Sequence, residues 1–224
     1  MIRLTNNIPA VETPSAEHIK LRCNFEVYPD ICLFWEQNDG ECYISMLDGN
    51  MIIYNLGGDT DELREFVSVL SPCCIFSDID TLRAIGHEPE EPICVMARAA
   101  DLKVDVISDE LSSKEIYDLL DVDGLSLPQY EYFAVDFCRR LNHQKADYYA
   151  ERGTCATISL NCGDYSIING IASHKKGSGS RALRAILSKN YGRTFLACFR
   201  ESVRGFYEKN GFKLLYYSGY WVKK

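Results

Sequence analysis

The chain has 224 residues, is 46% hydrophobic and carries a formal net charge of −8, a size that fills one large domain or two small ones. No apolar run approaches the roughly 18 residues of a membrane-spanning helix, and residues 1–22 lack the continuous apolar core of a secretory signal. The ten cysteines include no C-x-x-C pair and lie mostly in apolar runs, so we expect reduced core thiols in a cytoplasmic protein, without a metal site, a redox motif or a disulfide framework.

The charge is divided unevenly along the chain. Residues 1–110 carry 7 Lys and Arg against 21 Asp and Glu, a balance of −14, whereas residues 111–224 carry 17 against 11, a balance of +6. The acidic half either meets a cationic partner or serves solubility alone, and both interpretations stay open. The basic residues cluster at one turn and not along a stripe, which argues against nucleic acid as a partner.

The first half, residues 1–108, predicts an acidic α/β domain. Three strand-like runs separated by turn signals predict a meander, and Asp59 and Glu62 have the capping-box spacing that opens a helix. We find no catalytic constellation here and expect the carboxylates on a solvated surface. The predicted elements are strands at 31–36, 41–47 and 51–56, a helix after Asp59, a strand at 73–76, a short helix at 81–85 and a strand at 92–97.

A domain boundary is expected near residues 106–111, with a second domain over residues 109–224. Ser112 and Glu115 repeat the capping-box spacing ahead of a short helix, and a longer helix follows Ser126. Antiparallel strands then precede a β-α-β unit, so the expected class is α/β (α+β), a mixed, mostly antiparallel twisted sheet flanked by helices. The predicted elements are strands at 146–151, 154–160 and 165–172, a helix containing 182–187, a strand at 194–199, a helix at 201–210 and a strand at 212–222.

Residues 164–189 carry the strongest chemical signal. An Ile-rich strand breaks into a basic, glycine-punctuated turn and resumes as a helix with one apolar and one basic face. The first N–H groups of a helix have no partner inside it, and the helix dipole adds partial positive charge there. With two lysines alongside, the pattern predicts a phosphate site. The turn comprises His174, Lys175, Lys176, Gly177, Ser178, Gly179 and Ser180.

Two motifs in the second half resemble the GNAT superfamily of acyl-CoA-dependent N-acyltransferases. Residues 174–179 read HKKGSG, similar to the family's Gln/Arg-x-x-Gly-x-Gly/Ala motif between a strand and a helix. Residues 206–212 read FYEKNGF, close to the family's late Phe/Leu-Tyr-Glu-Lys-x-Gly-Phe run. The resemblance covers about residues 111–224 and agrees with the predicted element order. The first half is either a degenerate copy of the same fold or an unrelated cap.

The resemblance implies an acetyl-CoA-dependent transfer of an acetyl group to a primary amine, which attacks the thioester directly. It implies that the turn's amides hold the diphosphate of coenzyme A, that the pantetheine arm pairs with strand backbone, and that Tyr207 protonates the leaving thiolate. A phenol, with an ordinary pKa of about 10, is protonated and ready to donate at neutral pH. The coenzyme-binding residues implied are Ile171, Ser173, His174, Lys175, Lys176, Gly177, Ser178, Gly179, Ser180 and Arg200, with no metal.

Two positions and one strand depart from the family pattern. His174 stands where Gln or Arg is usual, and Arg200 where Asn is usual, although an arginine can reach a phosphate. The strand before the turn carries no Asp or Glu. The general base is therefore open between Glu151 and a water chain.

Two rival functions remain on the sequence alone. Residues 177–182 also fit the G-x-G-x-x-G/A pattern of a dinucleotide-binding oxidoreductase, but that fold needs parallel strands before the turn, and only 24 residues follow Arg200. The other rival is an acyl-CoA sensor that binds without turnover.

The expected partner is a small-molecule or peptide amine that serves as the acceptor, and it is cationic if the acidic half faces it. No membrane partner is expected. The oligomeric state is open, and a homodimer is one option.

Overall fold

The computed structural model describes residues 1–99, 107–123, 125–189 and 192–223, so Val106, where the expected boundary region begins, lies outside the described residues. In these ranges no helix has the length and apolar character needed to cross a membrane. The elements in chain order are β1 (Ile2–Leu4), α1 (Ala16–Val27), β2 (Leu33–Gln37), β3 (Cys42–Leu47), β4 (Asn50–Asn55), α2 (Thr60–Leu70), β5 (Cys74–Asp78), α3 (Ile79–Ala84), β6 (Pro92–Ala99), α4 (Ser113–Leu120), α5 (Tyr130–Asn142), β7 (Ala146–Glu151), β8 (Cys155–Cys162), β9 (Tyr165–Ser173), α6 (Ser178–Lys189), β10 (Arg193–Cys198), α7 (Glu201–Lys209) and β11 (Lys213–Val222).

The first of two compact units comprises Met1–Met96, Ala197–Lys209 and Lys213–Lys224. Its strand order is β1-β2-β3-β4-β5-β11-β6. Strands β1 to β4 pair antiparallel, which confirms the predicted meander. β4 and β5 are parallel because helix α2 carries the chain from one to the other, and β11 pairs antiparallel with β5.

The second unit comprises Ala97–Leu196 and Asn210–Phe212, and its strand order is β10-β9-β8-β7. β7, β8 and β9 form an antiparallel meander, and β9 and β10 are parallel with α6 between them. Helices α4 and α5 bury Ile116, Phe133 and Phe137 against strand residues, whereas Ala182 of α6 packs in a separate cluster. The predicted class, a mixed and mostly antiparallel sheet flanked by helices, is confirmed.

The last helix and the last strand lie in the first compact unit, whereas the sequence places both in the domain of residues 109–224. The compact units therefore divide the chain differently from a cut at residue 108. That residues 109–224 act as one catalytic domain stays a prediction.

The two capping boxes have different outcomes. At the start of α4, Ser112 and Glu115 exchange both capping hydrogen bonds, as the spacing predicts. At the start of α2, Asp59 accepts from the N–H groups of Asp61 and Glu62, but the second half of the box is missing. The Glu62 carboxylate accepts instead from Gln37 Nε2 at 2.7 Å and from the Ile2 N–H at 2.7 Å.

A buried carboxylate joins helix α1 to strand β11 inside the first unit. Glu17 is 2% exposed and accepts hydrogen bonds from the Tyr216 hydroxyl at 2.5 Å and from the Ser218 hydroxyl. The Tyr216 oxygen in turn accepts from the Ala16 N–H at 2.9 Å. Burial and the neighbouring Glu17 carboxylate raise the pKa of Tyr216, which keeps the phenol protonated as a donor.

Replacing Glu17 with alanine should lower the free energy of unfolding by about 3 kcal/mol, because the buried Ser218 hydroxyl and the half-buried Tyr216 hydroxyl lose their acceptor at about 1–3 kcal/mol each. Urea unfolding followed by circular dichroism measures the change. Glu65 is an exposed glutamate of α2, and Glu65→Ala should change stability by less than about 0.5 kcal/mol. Equal effects of the two substitutions would show that Glu17 does not hold β11.

Candidate functional site

Strand β9 ends at Ser173 and helix α6 begins at Ser178, so the predicted strand, turn and helix are confirmed. Gly177 has a φ of 84°, in the left-handed region that glycine adopts without strain. Space is open around it, since a Cβ atom added there would meet nothing within 4 Å. Residues 173–177 are exposed, whereas Ser178 and Gly179 are buried. The basic part of the turn therefore faces solvent.

Side chains of the turn occupy some of the amides that the sequence assigns to a phosphate. The Gly179 N–H donates to Ser173 Oγ at 3.1 Å, and the Ser178 N–H donates to the Lys175 carbonyl at 3.1 Å. The two serine hydroxyls lie 2.7 Å apart. Among the described residues, the N–H groups of Lys176, Gly177 and Ser180 have no acceptor, which leaves three donors for an anion.

His174 connects the turn to helix α4. Its Nε2 lies 2.8 Å from the Leu119 carbonyl oxygen, which can only accept, so Nε2 carries the proton. Its backbone N–H donates to the Thr154 carbonyl at 2.8 Å. This histidine fixes the position of the turn.

The charged side chains around the turn differ in their exposure and in their partners. Lys175 and Lys176 are exposed. Arg181, one turn into α6, is paired instead with Glu151, 2.7 Å from Nη2 to Oε2, and Glu151 also accepts from the Tyr149 hydroxyl at 2.7 Å. Arg181 and the Tyr149 hydroxyl lower the pKa of Glu151. A carboxylate held in this way is a weak proton acceptor. The choice between Glu151 and a water chain as the base stays a prediction.

A bulge interrupts strand β9 before the turn. Gly170 pairs with Ile158 and Ile168 with Ser159, so Asn169 has no partner on β8. Ile168 is also the last residue of β9 paired with β10. A bulge re-aims a side chain and ends regular pairing. The one sequence signal for this bulge is an Asn inside an Ile-rich run.

Tyr207 and Arg200 lie in the first unit. Tyr207 is half-buried on α7, its ring packs edge-on against Phe206 with centroids 5.2 Å apart, and burial, with the Cys198 thiol nearby, raises its pKa to about 12. Arg200 is exposed, and its carbonyl accepts from the Cys198 thiol at 3.2 Å. The phenol is therefore protonated at neutral pH, as a proton donor requires. Action of these residues together with the turn stays a prediction.

Several solved structures are similar to this architecture, although their sequences are only distantly similar. No protein-family model matches the sequence, and no curated protein matches it significantly. A GCN5-related N-acetyltransferase from Kribbella flavida is similar in structure, with a TM-score of 0.62, 8% identity, and 94% of this chain and 96% of that chain covered. One from Sphaerobacter thermophilus has a TM-score of 0.53, 12% identity, and coverage of 86% and 80%. A tandem GNAT protein from the clavulanic acid biosynthesis pathway has a TM-score of 0.54, 8% identity, and coverage of 96% and 89%.

The chain has the GNAT fold. In the described part of the second unit, strands β7, β8 and β9 are antiparallel and one β-α-β crossover follows them. The parallel sheet that a dinucleotide-binding oxidoreductase needs is therefore not formed in the described part of the second unit.

The same order of strands and helices occurs in both halves of the chain. The first half runs β2-β3-β4-α2-β5-α3-β6, and the second runs β7-β8-β9-α6-β10-α7-β11. The turn before α2, however, is filled by its own side chains. Asn55 Oδ1 accepts from the N–H groups of Gly57 at 3.2 Å and Gly58 at 2.8 Å, and the Asp59 carboxylate accepts from the N–H groups of Asp61 and Glu62. Four amides of this turn are thus taken by the side chains of Asn55 and Asp59, and several carboxylates lie beside them, so the turn does not suit a phosphate.

Proposed function

We propose that this protein is an N-acetyltransferase that transfers an acetyl group from acetyl-CoA to a primary amine. One observation supports this most: in a chain with the GNAT fold, the turn before α6 presents three unfilled amides and two exposed lysines. The combination matches the charge and the hydrogen-bonding needs of a diphosphate.

The residues present fit coenzyme A. The N–H groups of Lys176, Gly177 and Ser180 would donate to the diphosphate oxygens, and the ammonium groups of Lys175 and Lys176 would balance its charge. The open space around Gly177 admits a phosphate close to the backbone. Further along β9, Ile171 pairs with Thr157 on β8. Ile171 lies beyond Tyr165–Ile168, the part of β9 that pairs with β10 in the described residues. The backbone groups of β9 on that side are therefore left for the pantetheine amides.

In the proposed reaction the amine nitrogen forms a bond to the acetyl carbonyl carbon, and the carbon–sulfur bond breaks. The departing thiolate takes a proton from the Tyr207 hydroxyl, and the amine loses its extra proton to water. Tyr207 is then reprotonated from solvent. No cysteine is acylated at any step. Arg200 is proposed as a further contact to a phosphate, on the motif alone.

The acceptor is proposed to be cationic away from its reacting nitrogen. The balance of −14 over residues 1–110 attracts cations, and a cleft or surface of one sign raises the local concentration of the opposite sign. A diamine or a lysine-containing peptide has this character. An anionic acceptor would meet repulsion.

Calorimetry with coenzyme A and a thiol-release assay test this proposal. We expect coenzyme A to bind with a stoichiometry of one per chain, because Asn55 and Asp59 occupy four amides of the turn before α2 and its carboxylates repel a diphosphate. Acetyl-CoA should release thiol in the presence of primary amines, faster with a diamine than with an acidic amino acid. Absence of heat at millimolar coenzyme A would overturn the proposal, and binding without thiol release across the amine panel would support the sensor alternative.

A further inference from the structure

The interior of strand β9 contains an exposed polar side chain where the neighbouring positions are buried. Asn169 is exposed, whereas Ile168 and Gly170 on either side are buried. Asparagine is disfavoured in strands, because its side chain gains little from packing on a pleated surface. No hydrogen-bond partner for the Asn169 carboxamide occurs among the described residues. The side chain is therefore available to a ligand.

The backbone explains why this position is open. Asn169 is the extra residue of the bulge and has no partner on β8. The parallel pairing with β10 covers Tyr165–Ile168 and ends one residue before it. From Ser173, at the turn, back to Asn169 the strand spans four residues, or about 13 Å at roughly 3.3 Å per residue. A ligand anchored at the turn by a diphosphate and extended along β9 would place its far end near Asn169.

We propose that Asn169 positions the acceptor, with Oδ1 accepting a hydrogen bond from the N–H of the neutral amine. This inference rests on the proposed acetyltransferase function, since the far end of acetyl-CoA is the thioester that the amine attacks. A carboxamide oxygen accepts a hydrogen bond without taking the proton. The amine lone pair therefore stays free to attack the carbonyl carbon. The hydrogen bond from the amine N–H to Asn169 Oδ1 fixes the direction of that lone pair.

The chemistry of the side chain also separates Asn169 from the coenzyme site. The anionic part of coenzyme A is assigned to the lysines and amides of the turn, and a neutral carboxamide adds no charge for it. Loss of Asn169 should then weaken acceptor binding and leave coenzyme binding intact. A residue that only shapes the strand would alter stability and both ligands together.

The experiment compares Asn169→Ala and the similarly sized Asn169→Leu with Asn169→Asp, which keeps an oxygen acceptor. Acceptor KM and kcat are measured for the best substrate of a panel containing a diamine, an amino alcohol and a lysine peptide, and the Kd of coenzyme A is measured by calorimetry. Ala and Leu should raise the acceptor KM about tenfold, the loss of one hydrogen bond. Asp should stay within about threefold of the wild type, and the Kd of coenzyme A should change less than about twofold in all three.

Asn142→Ala, on the exposed end of α5, is the matched control and should change neither constant. Unchanged acceptor KM in Asn169→Ala and Asn169→Leu, with the wild type active, would overturn this inference alone. An equal loss of coenzyme affinity in those variants would also overturn it. Wild-type protein that transfers no acetyl group to any amine would overturn the proposed function and this inference together.

Discussion

Tyr207→Phe is expected to lower kcat about 100- to 1,000-fold, the range in which a positioned general acid contributes. The substitution removes only the hydroxyl, so the edge-on packing against Phe206 is retained. Because the phenol has a pKa raised to about 12, it keeps its proton through the alkaline range. The wild-type rate should therefore not fall between pH 8 and about pH 10 through loss of the Tyr207 proton.

Steady-state kinetics and coenzyme A calorimetry measure this effect. The matched control is Tyr132→Phe, because Tyr132 is 70% exposed on α5 and should leave both kcat and the Kd of coenzyme A unchanged. A kcat within about threefold of the wild type would remove Tyr207 from the mechanism. A loss of coenzyme affinity equal to the loss of rate would assign it a binding role instead.

Reversing both lysine charges, Lys175→Glu with Lys176→Glu, is expected to weaken coenzyme A binding about 100-fold, and each single change about tenfold. Each step corresponds to about 1.4 kcal/mol, at the lower end of charge-assisted hydrogen bonds because both side chains are exposed. Calorimetry at fixed ionic strength provides the measurement. The affinity of the wild type should also fall with added salt, more steeply than that of the double variant, because salt screens exposed charges.

Lys213→Glu provides the control for net charge. Lys213 is exposed on β11 in the first unit, and its reversal changes the total charge as much as either single variant does. It should alter the Kd of coenzyme A by less than about twofold. Similar losses at Lys213 and Lys176 would mean that the whole-chain field, and not the turn, attracts the diphosphate.

Features that depend on neighbours in sequence were predicted well. The turn before α6 and the capping box at Ser112 both follow from interactions within a few residues. Helix α1 was not predicted, because it buries residues around most of its circumference, including Glu17 and His18, and so shows no amphipathic pattern. The same spacing that forms a full box at Ser112 forms half of one at Asp59, since Glu62 is taken by Gln37 and by the Ile2 N–H.

The amino-acid sequence by itself determined the basic turn, the two signature motifs and the order of the strands and helices after residue 30, because caps, turns and hydrophobic periodicity are local. Only the tertiary structure decided three further features. Asn169 lies in a bulge at the point where the pairing between β9 and β10 ends, Glu151 forms an ion pair with Arg181, and β11 pairs with β5. Each of these depends on strand register or on contacts between residues far apart in the chain. The stability of such contacts depends on how deeply the groups are buried and on which side chains the strand register brings together. Residue spacing within a short stretch of sequence specifies neither.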